Sequence, residues 1–288
     1  MENRSKGILL IISASLFFAL MSATVKSLHG ISVVEKMFFR NAVGLIVASL
    51  VIIKKKQSFI GNNKGSLFLR SFFGLLGVAC NYYAISKLPL AEAEILNKMS
   101  PFFVIILSAI FLSEKIRKNQ FVTIILAFAG ALLVIKPGFN FSLIPALIGL
   151  TSAFFAGSAY TTIRHLRHTD SPDVIVFYFT LFSTLVTVPI MLASNFTIPS
   201  AIQLISLIGI GVFATTAQFL LTYAYRYAPA GELSIYTYVN IVFSIIIGFI
   251  IWNEVPDLLS FLGGTLIIIA GYINYRFRVS TSTLNNNK

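Results

Sequence analysis

Charge is what this chain lacks most. Only 11% of its 288 residues are Asp, Glu, Lys or Arg, against about 25% in a water-soluble domain, and the mean hydropathy is +0.86. That scarcity excludes an ordinary soluble domain. Cysteine occurs once, at Cys80, which excludes a disulfide scaffold and leaves a thiol that reads as inert and packed within an apolar run. Low-complexity tracts are missing while 27 Phe and 11 Tyr are present, which excludes disorder and collagen.

Catalytic signatures are missing as well. The chain has no His-Glu-x-x-His, no Gly-x-Ser-x-Gly and no phosphate-cradling glycine loop, motifs that hydrolases and nucleotide-driven pumps require. His165 and His168 stand three apart with no third ligand close in sequence, so neither a metal nor a cofactor is expected. An intramembrane enzyme is a minor alternative, and any transport has to draw on gradients.

What is present is a series of apolar runs of 18 to 22 residues. A bilayer core of about 30 Å takes about 20 apolar residues per helix, so the chain has room for roughly ten crossings. A β-barrel would instead show alternating segments of about ten residues. Breaks at charges, Gly and Pro place the spans near 7–28, 34–53, 67–87, 91–113, 119–136, 143–164, 173–193, 201–226, 230–253 and 258–277. The fold class is therefore all-α integral membrane. The first run follows Arg4 and Lys6 but is too long for a signal peptide, so it reads as a retained span.

Basic residues set the expected orientation. With a cytoplasmic amino terminus, sixteen of the 22 Lys and Arg lie in inside segments, Arg70 among them, which the positive-inside rule reads as both termini cytoplasmic in the cell membrane. Membrane lipids account for the +12 net charge. Nucleic acid is not an expected partner, because the charge is dispersed over alternate loops.

The chain also repeats itself. A shift of 140 residues aligns Tyr83, Ala84, Pro89, Glu92, Phe103, Ile105, Ile106 and Glu114 with Tyr223, Ala224, Pro229, Glu232, Phe243, Ile245, Ile246 and Glu254 without a gap. Two five-span units, residues 1–140 and 141–288, follow from it. An odd number of spans makes the second unit enter the membrane in the opposite sense, as an inverted repeat suited to alternating access.

These features resemble the drug/metabolite transporter superfamily, EamA type, in Tyr83-Ala84, Pro89, Pro101 and Glu114 of the first unit and Tyr223-Ala224, Pro229 and Glu254 of the second. The resemblance implies a cytoplasmic-membrane carrier whose third, fourth, eighth and ninth spans line a central cavity. Ile241 stands where the first unit has Pro101, so any kink there is expected in one half only.

Candidate contacts follow from polar residues in spans, where a charge costs about 2.5 to over 10 kcal/mol. Glu94, Asn97, Lys98, Pro101 and Ser108 fall on one helical face of the fourth span. Glu94 and Lys98 either neutralise each other at i, i+4 or hold the two ends of a zwitterion, with Glu94 also able to exchange protons. The second unit has Ser234 and Tyr238 there. Thr237, Asn240, Ser244 and Gly248 form a stripe on the ninth span, Thr215, Gln218 and Thr222 one on the eighth, and Gly74, Gly77 and Asn81 one on the third. Such stripes serve either a cavity or helix contacts. Arg40 is either paired with Glu35 at the interface or a fixed cation in the cavity. Pro89, Pro101, Glu114, Pro229 and Glu254 are assigned structural or gating roles, and Glu92 and Glu232 cap helix starts.

The expected function is a secondary transporter of a small polar or zwitterionic metabolite, an amino acid or related compound. An exporter of drugs or toxic metabolites, a channel and a non-transporting subunit are the alternatives. A coupling proton or sodium ion and assembly as a homodimer both remain open.

Overall fold

The computed structural model describes residues 2–111, 116–136, 143–166, 169–194, 196–227 and 233–286. Its helices are α1 (Glu2–Ser27), α2 (Val33–Lys54), α3 (Lys64–Lys87), α4 (Leu90–Asn97), α5 (Ser100–Phe111), α6 (Lys118–Ile135), α7 (Leu143–Leu166), α8 (Pro172–Ala193), α9 (Ala201–Tyr227), α10 (Val239–Trp252) and α11 (Leu258–Asn286). A 3₁₀ segment, Ser234–Tyr238, leads into α10. Among the described residues ten helical stretches are long and apolar enough to cross a membrane, with α4 and α5 together making the fourth.

Local chemistry sets several helix ends. Ser32 and Glu35 form a reciprocal capping box at the start of α2, Asn63 accepts the Ser66 N–H to start α3, and Ser171 caps α8 just before Pro172. Lys136 and Asn253 adopt left-handed conformations that end α6 and α10.

The inverted repeat shows in which helices touch. α3 packs on α7 as α9 packs on α1, α8 packs on α3 as α2 packs on α9, and α5 meets α7 as α10 meets α1. The pairs α2 with α8 and α6 with α11 each join an element to its own counterpart, and α4 packs on α10. The most extensive interfaces therefore either recur or map onto themselves. Small residues permit the tightest of them: a Cβ on Gly130 of α6 would lie 2.6 Å from the Gly263 carbonyl oxygen of α11, and one on Gly263 would lie 2.5 Å from that of Gly130.

The fourth span is not the continuous helix expected over 91–113. Pro101 has no N–H to donate to Asn97 and its ring crowds that carbonyl, so the helix stops at Asn97 and resumes at Ser100. The Lys98 N–H donates to the Glu94 and Ile95 carbonyls and the Met99 N–H to Leu96, a tightened turn between the halves. Nor is the irregularity confined to one half. The 3₁₀ segment ends at Tyr238, the repeat counterpart of Lys98, although Ile241 replaces the proline.

The bundle has a terminal face, where α1 begins and α2 ends, and a far face, where α1 ends and α2 begins. At the terminal face the Asn62 and Asn63 N–H groups donate to the two oxygens of Asp170, at 2.6 and 3.2 Å, and the Gly61 N–H donates to the Tyr178 hydroxyl. Burial alone would raise the Asp170 carboxyl, but the Thr169 hydroxyl and those two N–H groups hold it below its ordinary 3.8.

Two outcomes follow. Gly130→Ala forces backbone against backbone and should lower stability in detergent by about 1–3 kcal/mol, read as a lower melting temperature, whereas Gly65→Ala, with nothing within 4 Å, should be neutral. A carboxyl lowered in the folded state stabilises above its ordinary pKa and loses that contribution as pH falls through the lowered value. Asp170→Asn should therefore melt lower than the parent at neutral pH, and the difference should shrink as pH drops below 3.8.

Candidate functional site

A cavity of about 230 Å³ lies inside the bundle, walled by α1 to α4 of the first unit and α7 to α9 of the second. It runs from Glu94 and Lys98 to Val51, Pro172 and Asp173, where α2 ends and α8 begins. Its axis thus leads to the terminal face.

The broken fourth span puts two charges at the inner end. Glu94 is 4% exposed and accepts the Ser22 hydroxyl from α1 at 2.6 Å. Lys98 follows the last residue of α4, where the helix dipole favours a cation. No ion pair within 4 Å joins the two among the described residues, although Glu94 still acts on the Lys98 ammonium through space. Both line the cavity together with Asn97, Asn81, Thr215 and Gln218. The Asn97 amide donates to the Ser152 hydroxyl at 3.4 Å, while the buried Asn81 Oδ1 has no partner. Pro101 and Ser108 are not in the lining; the face predicted to run through them is interrupted at the break.

Arg40 also enters the cavity and is not paired with Glu35. Its Nη1 donates to Asn41 Oδ1 at 2.9 Å and its guanidinium lies 5.5 Å from the centre of the Phe179 ring. Glu35 turns instead to its own cap and to the Thr197 N–H. Arg70, counted in sequence among the inside-segment charges although it falls within the span placed at 67–87, is a cavity residue as well: α3 starts at Lys64, and Arg70 is 8% exposed and 3.9 Å from the same Phe179 ring. A signal for it existed. Arg70, Gly74, Gly77 and Asn81 stand at offsets 0, 4, 7 and 11, so the stripe found on the third span extends back one turn to a charge. The wall residues Tyr160, Phe179 and Thr180 carry no such signal.

The polar stripe predicted on the ninth span lies elsewhere. Thr237, Asn240 and Ser244 are not in the cavity wall; the Asn240 amide donates to the Ser15 carbonyl of α1 at 3.2 Å and Ser244 is fully buried. Asn240 therefore serves a helix contact, the role that α10 packing on α1 demands. The side chain of Thr222, and Glu114, Pro229 and Glu232, lie outside the described residues.

At the far face charged side chains cross between the units. Lys26 bonds Glu254 and donates to the Leu88 carbonyl at 2.7 Å, while the other Glu254 oxygen accepts the Leu90 N–H at 2.9 Å. Pro89 makes that N–H available as the residue before α4. Lys136 bridges Glu92 at 3.0 Å and Asp257 at 2.7 Å, and the Ser260 hydroxyl donates to Glu92 at 2.6 Å. Glu92 is thus an interhelical ligand rather than only a helix-start charge. Burial would depress the Lys136 ammonium, but its bonds to Asp257 and Glu92 prevail and raise it. At the terminal face Lys55 pairs with Asp173 at the cavity's mouth.

Known proteins resemble this chain over nearly its whole length. The EamA-like transporter family matches residues 5–136 and again 143–276. The pseudopaline exporter of Pseudomonas aeruginosa is 37% identical over 268 residues, covering 92% of this chain and 94% of its own. An uncharacterized transporter of Helicobacter pylori is 28% identical over 278 residues, 93% of each chain. A solved crystal structure shares the fold at a TM-score of 0.68 and 15% identity, over 93% of this chain and 96% of its own. With both halves matched and the likeness running nearly end to end, this ten-span chain belongs to the EamA-like transporter family.

Proposed function

We propose that the protein is a secondary transporter that moves a small polar or zwitterionic organic metabolite, an amino acid or related compound, across the cytoplasmic membrane by alternating access. The observation that carries this is a cavity with charged and polar side chains on an otherwise apolar wall, reaching one face, with ion pairs between the two inverted units at the other. Residues 1–140 and 141–288 are the moving parts. With both termini cytoplasmic, as the distribution of Lys and Arg supports, the cavity faces inward and the Lys26–Glu254 and Lys136–Glu92–Asp257 bonds form the outer gate.

Glu94 and Lys98 carry opposite charge at the inner end of the cavity without joining in an ion pair. That leaves each open to the opposite group of a zwitterion, and Glu94 is the carboxylate placed to exchange a coupling proton. Outward movement is favoured by the exporter relative described above, which speaks for efflux of a metabolite rather than uptake.

Protein in liposomes should accumulate or release members of an amino-acid and metabolite panel under an imposed proton or sodium gradient; failure with every member and both ions overturns the reading. Glu94→Gln and Lys98→Ala should each lower transport at least about tenfold, a loss of about 1.4 kcal/mol in transition-state terms, while the protein still inserts. Breaking the outer gate gives a second readout. In a Cys80→Ser background carrying Ala159→Cys in the cavity wall, Glu254→Gln should increase labelling by a membrane-impermeant thiol reagent applied to the face opposite the termini.

A further inference from the structure

The cavity holds more positive charge than its own residues answer. Arg40, Arg70 and Lys98 line it against Glu94 and Asp173, and Asp173 is already paired with Lys55. Two positive charges are left over. In a membrane interior that surplus is costly unless something else supplies anions.

The unmet valence is localised. Arg40 Nε, Arg70 Nε and Arg70 Nη1 are buried N–H groups with no hydrogen-bond partner, in a structure where most buried polar atoms are bonded. Both guanidiniums lie over the one ring of Phe179, at 5.5 and 3.9 Å, so they share a corner of the cavity. Stacking holds each plane in place while leaving its edge free. Gly74 makes the fit: a Cβ there would come within 2.8 Å of the Phe179 ring and 2.9 Å of Arg70 Nη1.

We infer that Arg40 and Arg70, held on Phe179, form an anion subsite, and that the transported metabolite is an amino compound bearing at least two carboxylates, net negative at neutral pH. Glu94 takes the amine, Lys98 one carboxylate and the arginine pair the rest. This rests on the cavity being the substrate site and sharpens the zwitterion reading into an amino-polycarboxylate one. A planar guanidinium edge matches a carboxylate with two parallel N–H bonds. The cavity's 230 Å³ lies below the ~300–1,000 Å³ of sites for drug-sized ligands, which favours a compact polyacid over a nucleotide.

The test reads binding by thermal shift on the purified full chain in detergent, with γ-carboxyglutamate, glutamate, glutamine and phosphoserine as probes. Affinity should fall in the order γ-carboxyglutamate, glutamate, glutamine. Arg40→Gln and Arg70→Gln should each weaken γ-carboxyglutamate about ten- to a hundredfold, as expected for a lost charged hydrogen bond, and leave glutamine unchanged. Glu94→Gln and Lys98→Ala should weaken all of these amino acids, which separates failure of the subsite from failure of the zwitterion site. Arg40→Lys keeps the charge without the fork and should recover only part of the loss. Should either glutamine variant fail to fold, the order of the probes on the unaltered chain still decides. Equal affinity for glutamate and glutamine, no binding of any carboxylate at millimolar concentration, or binding of phosphoserine alone overturns the inference.

Discussion

Inside a hydrocarbon slab every backbone polar group and every charge has to find its partner within the bundle, because no water is there to supply one. That constraint organises this protein more than any packing preference. It makes the backbone helical, and it confines charges to the two faces and one central cavity. Lys26, Glu254, Lys136, Glu92 and Asp257 meet it by binding one another across the far face. Arg40 and Arg70 do not, and their open N–H groups mark the cavity as the place where the bundle is incomplete by itself.

Duplication supplies the second theme. The largest helix contacts have counterparts in the other unit, the arrangement on which inverted-repeat carriers base alternating access. At the far face Lys26–Glu254 and Lys136–Asp257 join the units, while Lys136–Glu92 lies within the first. The Gly130–Gly263 crossing joins the units as well, through close backbone approach rather than charge. The interruptions at Lys98 and at Tyr238 lie at equivalent points of the two units, beside the cavity in the first and beside α1 in the second. Only the first brings a carboxylate and an ammonium, Glu94 and Lys98, to the cavity wall.

Much of the fold was legible because membrane helices write themselves in runs of apolar residues, and the repeat because its residues align without a gap. Glu94, Lys98, Asn81, Gln218 and Arg40 were legible as polar residues where polarity is expensive. Asn240 and Ser244 satisfied the same criterion yet pack on α1, since a polar stripe can serve a neighbouring helix as well as a cavity. Arg70 escaped because a basic side chain one turn from a span's end reads equally well as an interfacial charge or as part of the interior. The 3₁₀ segment escaped for a related reason: Ile241 gives no warning of a backbone irregularity that its tertiary setting imposes.

By itself the sequence determined ten spans, two inverted units and a short roster of charges that lipid would not tolerate, because each depends on composition or periodicity along one chain. Which of those charges meet was decided only by the tertiary structure. Glu94 found Ser22 rather than Lys98, Arg40 found Phe179 rather than Glu35, and Lys26 found Glu254 from 228 residues away. Pairings of that kind are set by how helices cross, and crossing is settled by the fit of small residues such as Gly130, Gly263 and Gly77 against a neighbour's backbone.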